Sequence, residues 1–210
     1  MNLAIGKKAY YNISGAFGEK AYDEAVKLSH FLDLIPISLG STKKDNYNHL
    51  LKIDKSKIDE KNGAYLHLTT NNTIEGTSIF PENLPEFASL PLVADMSSYI
   101  LAVDDDVRQF GLIYAGAQQN LGIAGLTIVI IREDLLNEAE SLSSMMDYKI
   151  LAKNGSMYNT PPTFAIYVAG LVVKWVKAQG GVKKLEEMNQ RTAQLLYDLI
   201  DQSDFDQNPD

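Results

Sequence analysis

The chain has 210 residues, 45% of them hydrophobic and 22% charged, with 27 acidic side chains against 19 Lys and Arg and a formal net charge of −8. A chain of this length can bury roughly 70% of its unfolded surface, so a full core is available to it. The acidic balance, with arginine only at Arg108, Arg132 and Arg191, argues against a nucleic-acid partner held on a basic face. The absence of cysteine excludes disulfides, thiol nucleophiles and Cys-ligated zinc. His30, His49 and His67 do not fall at ligand spacing, so no metal site is expected. The longest apolar run is far short of a bilayer span, and the N-terminus lacks the design of a signal peptide. A soluble, cytoplasmic protein without a membrane partner is the expectation.

Residues 8–14 are aromatic and β-branched and stop at Gly15, which predicts a short strand. From Phe17 to Leu32 the spacing turns helical, with Tyr22, Ala25, Val26, Ser29 and Leu32 along one side. A short apolar run follows from Leu34 to Leu39. Residues 42–62 are polar and Lys/Asp-rich, a surface excursion with a short helix near 55–61. Four further strands are predicted at Ala64–Thr69, Leu90–Asp95, Phe110–Ala115 and Leu126–Arg132, each a continuous apolar run of the kind found in parallel sheets covered on both faces. Residues 72–89 read as loop.

Beyond residue 133 the pattern is helical. Pro161 and Pro162 mark a helix start, because proline suits the first turn. Phe164, Tyr167, Val168, Leu171, Val172 and Trp175 then recur as a wide apolar face, ended by Gly180 and Gly181. A second helix carries Leu185, Met188, Leu195, Leu196 and Leu199. The pattern predicts an α/β layered domain over residues 1–200, with a frayed acidic tail at 201–210.

In open α/β sheets, ligands bind beyond the carboxyl ends of the strands. Three predicted strand ends carry polar residues there: 69–76 (TTNNTIEG), 94–98 (ADMSS) and 116–125 (GAQQNLGIAG). Asp95 enters from a buried strand and needs a cationic or N–H partner, either as a ligand contact or as a cap that ties down a loop. The glycines of 116–125 fit neither the P-loop nor the dinucleotide fingerprint.

The stretch Phe110–Leu135 (FGLIYAGAQQNLGIAGLTIVIIREDL) closely resembles the phosphoserine aminotransferase family, as do Ser156–Ile166 (SMYNTPPTFAI) and His67–Gly76 (HLTTNNTIEG). That family belongs to the class V aminotransferases and has the fold-type-I architecture of pyridoxal-phosphate enzymes. The resemblance runs along nearly the whole chain. It implies the large domain of such a transferase, a mostly parallel sheet flanked by helices. It implies pyridoxal phosphate as cofactor, a phosphorylated amino acid as substrate, and a homodimer with shared sites.

Residue by residue, the resemblance makes Asp95 the carboxylate that pairs with the protonated pyridine nitrogen. Thr73 matches a hydroxyl near the ring's phenolic oxygen, with a plain turn residue as alternative. Gln118 matches a polar cofactor contact, or else belongs to a surface turn. Phe17 aligns with an aromatic that stacks on the ring face, or else is core. Asn159 and Thr160 match a pair that reaches the neighbouring subunit's phosphate site; without the resemblance Thr160 reads as an N-cap.

Two positions depart from the family. Ile123 stands where proline is usual, and Gln119 stands where the resemblance places the lysine that forms the Schiff base with the cofactor. A carboxamide nitrogen is not nucleophilic, because its lone pair is delocalised, and it is a poor base. The resemblance also implies a chain that lacks the family's first large-domain strand, the phosphate-binding helix start, and the C-terminal small domain with its substrate-phosphate arginines. Arg108, Arg132 and Arg191 match none of those and read as surface or structural residues. A chain that is catalytically defective as it stands is expected. A working enzyme for amino transfer between phosphoserine or phosphohydroxypyruvate and glutamate or 2-oxoglutarate, and a non-catalytic cofactor-binding or dimerisation module, are the alternatives. Uncovered apolar surface, and hence self-association, is expected as well.

Overall fold

The computed structural model describes residues 2–138 and 142–203. The first strand, β1 (Lys8–Ile13), leads into helix α1 (Ala16–Ser29), which returns the chain to β2 (Ile35–Ser41). After a polar excursion come β3 (Gly63–Thr69), a small hairpin of β4 (Asn71–Asn72) and β5 (Thr77–Ser78), then β6 (Leu92–Asp95), β7 (Leu112–Gly116) and β8 (Thr127–Ile131). The main sheet runs β2-β1-β3-β6-β7-β8, and β1, β2, β3, β6 and β7 pair in parallel.

The runs read as doubly covered strands behave so in the middle of the sheet. Side chains alternate between faces with period two. Tyr10, Leu66, Leu68, Leu92, Ala94 and Ile113 enter one core, with Leu66 and Leu68 at 0% exposure. Tyr11, Tyr65, Val93 and Leu112 enter the other, under Ala21, Tyr22 and Ala25 of α1. Burying one such leucine contributes about 1.5–3 kcal/mol, which is why a run of these residues settles in mid-sheet.

Helix α1 buries the predicted side, but it ends at Ser29 rather than Leu32. Its first amide, Ala16 N–H, donates to Glu75 Oε1 at 2.8 Å, so a carboxylate from the β4–β5 hairpin satisfies an unpaired donor at the positive end of the helix dipole. The helix predicted near 55–61 is a single 3₁₀ turn at Lys55–Lys57.

The C-terminal half brings the corrections. Strand β8 is antiparallel to β7, at the edge of the sheet, with Val129 and Ile130 exposed rather than covered on both faces. A five-residue apolar run serves an edge strand and a buried strand equally well, so its composition does not report direction. Helix α2 (Glu133–Glu138) and helix α3 (Tyr148–Lys153), capped by Asp147, precede α4 (Thr163–Ala178) and α5 (Val182–Asp201). Pro161 and Pro162 lie just outside α4, with Pro162 at the N-cap, so they stop the preceding loop instead of forming the first turn. Thr160 is therefore not the N-cap.

Helix α4 packs only one flank of its predicted apolar face, the half-buried Val168 and Val172. Ala165, Ala169 and Val176 are buried, whereas Phe164, Tyr167, Leu171 and Trp175 are exposed, Phe164 at 69% and Trp175 at 51%. Small residues let the helix backbone approach the body closely: a Cβ added at Gly122 would lie 3.4 Å from the amide nitrogen of Ala169. The end of α4 is as predicted. Gly180 N–H reaches the Lys177 carbonyl and Gly181 N–H that of Val176, at φ values of 106° and 88°, a Schellman closure that favours glycine. In α5 only Leu185 is buried, and Leu195, Leu196 and Leu199 face outward. The predicted frayed tail lies, beyond Ser203, outside the described residues. Among the described residues no helix is long and apolar enough to cross a membrane.

Candidate functional site

Parallel strands deliver their carboxyl ends to one side of the sheet, and the register makes three of them level. Thr69 of β3 lies opposite Asp95 of β6, and Asp95 lies opposite Tyr114 of β7. The three polar segments singled out in the sequence start here and are hydrogen-bonded to one another. Ser98 is the hub: its Oγ accepts from Asn71 Nδ2 at 2.9 Å and is bonded to Thr73 Oγ1 at 2.8 Å. Asn120 Nδ2 donates to the carbonyls of Ser98 and Ile100, and Gly116 N–H donates to Ser97 Oγ at 3.0 Å.

Asp95 is half-buried at the centre of this array. Its Oδ1 accepts from Ser97 N–H at 3.0 Å and from Ser97 Oγ at 2.7 Å. Both readings of Asp95 are thus compatible: it ties down its own loop and still presents a carboxylate. Among the described residues no lysine or arginine forms an ion pair with it.

Behind Asp95 lies a buried aromatic group that the sequence reading did not single out. His67 Nε2 and Tyr114 Oη are 2.8 Å apart, and the His67 ring stacks on Tyr11 at 5.2 Å. Burial pushes the His67 imidazole down to about 4, with Asp95 acting weakly the other way. The Tyr114 hydroxyl is raised far above its ordinary value, first by burial and then by the nearby charge of Asp95. A cavity of about 290 Å³ adjoins these rings, lined also by Tyr65, Tyr148 and Asn2. The available signal was a polar ring inside each of two apolar strands, in the runs Leu-His-Leu and Ile-Tyr-Ala.

The other predicted residues distribute as follows. Phe17 sits in the first turn of α1, 41% exposed, with Lys20 Nζ 5.0 Å from its ring centroid, so it is not core. Its neighbour Gly18 packs over Thr69, which places that end of α1 beside the strand ends. Thr73 belongs to the hairpin tip and joins the site through Ser98. Gln118 is exposed and folds back over Gly116, its carboxamide lying against the glycine Cα. Gln119 is exposed next to it. Asn159 and Thr160 are exposed in the loop before α4. Among the described residues no hydrogen bond joins that pair to the Asp95 group. Arg108 and Arg132 make exposed ion pairs with Asp106 and Asp134 and take no part.

Comparison with known proteins gives one answer. Residues 39–209 match the family model described as aminotransferase class-V. The whole chain is 94% identical to a phosphoserine aminotransferase of Lactococcus lactis subsp. lactis (strain IL1403) and 54% identical to one of Streptococcus suis (strain 05ZYH33). It spans only 57% of the length of each of these curated relatives. Among solved structures, phosphoserine aminotransferase from Bacillus circulans subsp. alkalophilus superposes with a TM-score of 0.84 at 42% identity, covering 96% of this chain and 54% of that one. The PLP-bound enzyme from Trichomonas vaginalis gives 0.87 at 34% identity, covering 96% and 58%. The sheet order, the polar strand ends and the matched sequence agree, and the chain belongs to the class V aminotransferases.

Proposed function

We propose that this chain forms the cofactor-binding core of a phosphoserine aminotransferase and holds the ring of pyridoxal phosphate at the carboxyl ends of β3, β6 and β7. The observation that carries the reading is Asp95: a half-buried carboxylate fixed by Ser97 and left without a cation of its own among the described residues. A protonated heterocyclic nitrogen fits that acceptor. Pyridoxal phosphate, when bound, supplies the electron sink for moving an amino group between an amino acid and a 2-oxoacid.

The protein's own residues divide the work of holding and orienting. Asp95 accepts from the pyridine nitrogen and fixes its proton there. Phe17, exposed at the start of α1, offers a face for the ring, and the Thr73 hydroxyl, tethered to Ser98, is a donor for the ring's oxygen substituent. Gln118 adds a polar contact. Asn159 and Thr160, remote from Asp95 in hydrogen-bonding terms, serve a second subunit's site in a cytoplasmic homodimer. The substrate of the full-length activity is phosphoserine, exchanged against 2-oxoglutarate.

Gln119 occupies the place of the cofactor-anchoring lysine. The chain therefore binds the cofactor without a covalent bond and is defective in amino transfer as it stands. Titration with pyridoxal phosphate tests this by visible absorption, with Gln119→Lys alongside the parent. The expected result is an imine band that Gln119→Lys gains and the parent lacks, with both proteins binding. An equal band in the parent refutes the role of position 119, and absence of binding in both refutes the cofactor site.

A further inference from the structure

Resting on the reading of the strand ends as the cofactor site, we infer that Asn120 is a positioning residue. It clamps the turn that carries position 119 onto the loop that carries Ser97 and Ser98, and so sets where residue 119 stands relative to Asp95. The argument starts from two carbonyls. Residues 96–102 form a tight turn, in which Tyr99 N–H and Ile100 N–H donate to the Met96 carbonyl and Ala102 N–H to that of Tyr99. Among the described residues no backbone N–H donates to the carbonyls of Ser98 and Ile100. Both residues are half-buried, where an unpaired carbonyl is costly.

Asn120 meets both carbonyls from one atom. Its Nδ2 donates to the Ile100 oxygen at 3.0 Å and to the Ser98 oxygen at 3.3 Å. A carboxamide nitrogen carries two N–H groups, so one short side chain satisfies the pair, whereas an aspartate of the same shape offers no donor when ionised. The next residue, Leu101, shows that this turn needs holding. It sits at φ 65°, a left-handed conformation uncommon for a leucine, and such a backbone persists only where its surroundings over-determine it.

The other side of the clamp is equally fixed. Ala117 and Leu121 are buried at 0% and 3% exposure, Ala117 N–H donates to the Leu126 carbonyl, and Leu121 N–H and Gly122 N–H return to the Ala117 carbonyl. Gln118 and Gln119 stand exposed between those anchors. Two cross-links tie this turn to the neighbouring loop, Gly116 N–H to Ser97 Oγ before the exposed pair and Asn120 after it. With one on each side, the pair cannot swing about either. The same loop fixes the Asp95 carboxylate through Ser97 and the Thr73 hydroxyl through Ser98. Position 119 is therefore held in register with both by a single cross-linked unit.

The clamp is read first without cofactor, by hydrogen–deuterium exchange on the full chain. Asn120→Asp should exchange faster over 96–102 and 117–122, while β1 and β3 keep the parent's protection. Unchanged exchange over 96–102 overturns the clamp. If Asn120→Asp loses protection throughout the sheet, Asn120→Ala, which sets no charge against the carbonyls, decides by the same criterion. Loss throughout in that variant too makes Asn120 a folding residue and overturns its positioning role. Positioning is then read in the Gln119→Lys chain with two ligands. Pyridoxamine 5′-phosphate has no aldehyde, so equilibrium dialysis with it reports the non-covalent contacts alone. Pyridoxal phosphate reports the reach of the introduced amine, as the imine band in excess of the parent's. Adding Asn120→Asp should weaken imine formation about tenfold, the worth of one hydrogen bond, and pyridoxamine 5′-phosphate binding by less than about twofold. Equal losses with both ligands, or no loss with either, overturn positioning. Failure of the Gln119→Lys chain to bind pyridoxamine 5′-phosphate overturns the cofactor reading and the role built on it. The exchange pattern needs no cofactor and tells that failure from a failure of the clamp.

Discussion

Leu66 of β3 and Leu195 of α5 carry the same side chain and meet opposite environments, at 0% and 70% exposure. Around Leu66 every neighbouring strand adds apolar surface, and the polar residues are pushed to the strand ends where they bond to one another. Around Leu195 the helix is amphipathic but most of its apolar side is exposed among the described residues, as are Phe164, Tyr167 and Trp175 on α4. An apolar stripe in a sequence therefore declares that a surface is made to be covered; it does not declare what covers it. The strand ends that carry Asp95 belong to the first kind of region.

The largest expected effect is the one that removes Leu66 from the covered region. Leu66→Ala leaves a cavity between the strands of a fully buried layer and should destabilise the chain by about 2–5 kcal/mol, measured as a lower urea midpoint. A loss below about 1 kcal/mol would mean that the β3 layer collapses around the gap and is less rigid than its burial implies.

The polar group in the same region makes a pH-dependent contribution of similar size. His67 falls from an ordinary 6.5 to about 4 in the folded chain because burial disfavours its charged form. The unfolded chain consequently binds more protons than the folded one between those values, and stability rises with pH across that window. The contribution is fully present above pH 6.5 and is lost as the pH falls toward 4, a change of about 3 kcal/mol. Urea unfolding of the parent and of His67→Gln between pH 7 and 4 checks it. The gap between the two curves should change over that interval, and parallel curves would show that the imidazole titrates freely.

How far the sequence discloses all this follows the same division. Strands β1, β3, β6 and β7 are legible because each is an apolar run that stops at polar residues, and the site is legible because those stops coincide with the carboxyl ends. Asp95 stands out as an acid directly after Leu-Val-Ala. The buried ring pair behind it does not, because Tyr114 and His67 are 47 residues apart in the chain and become partners only through the sheet register. Glu75 was visible only as one more polar residue of its segment, since its bond to the first amide of α1 spans 59 positions. The direction of β8 was illegible for a different reason: no local property of Thr-Ile-Val-Ile-Ile distinguishes a parallel from an antiparallel edge. In α4 the pattern of large residues points to one side of the packed face, which is centred on Ala165, Ala169 and Val176 with Val168 and Val172 half-buried beside them, because small side chains carry little weight in a periodicity.

The smallest effect on folding is expected where the apolar surface is open, and it sharpens the comparison most. Leu195 and Leu199 are 70% and 67% exposed, one turn apart on α5. Replacing both with serine removes little buried area, so each should change stability by less than about 0.5 kcal/mol. Their cost is paid instead in solution behaviour, because exposed apolar patches of this kind drive association. Sedimentation velocity of the parent should show mass rising with concentration, and Leu195→Ser with Leu199→Ser should reduce that rise while the urea midpoint stays put. A parent that sediments as a clean monomer at every concentration would detach exposure from association here. A double variant that loses stability like Leu66→Ala would mean that α5 is packed against the body more tightly than its one buried leucine, Leu185, accounts for.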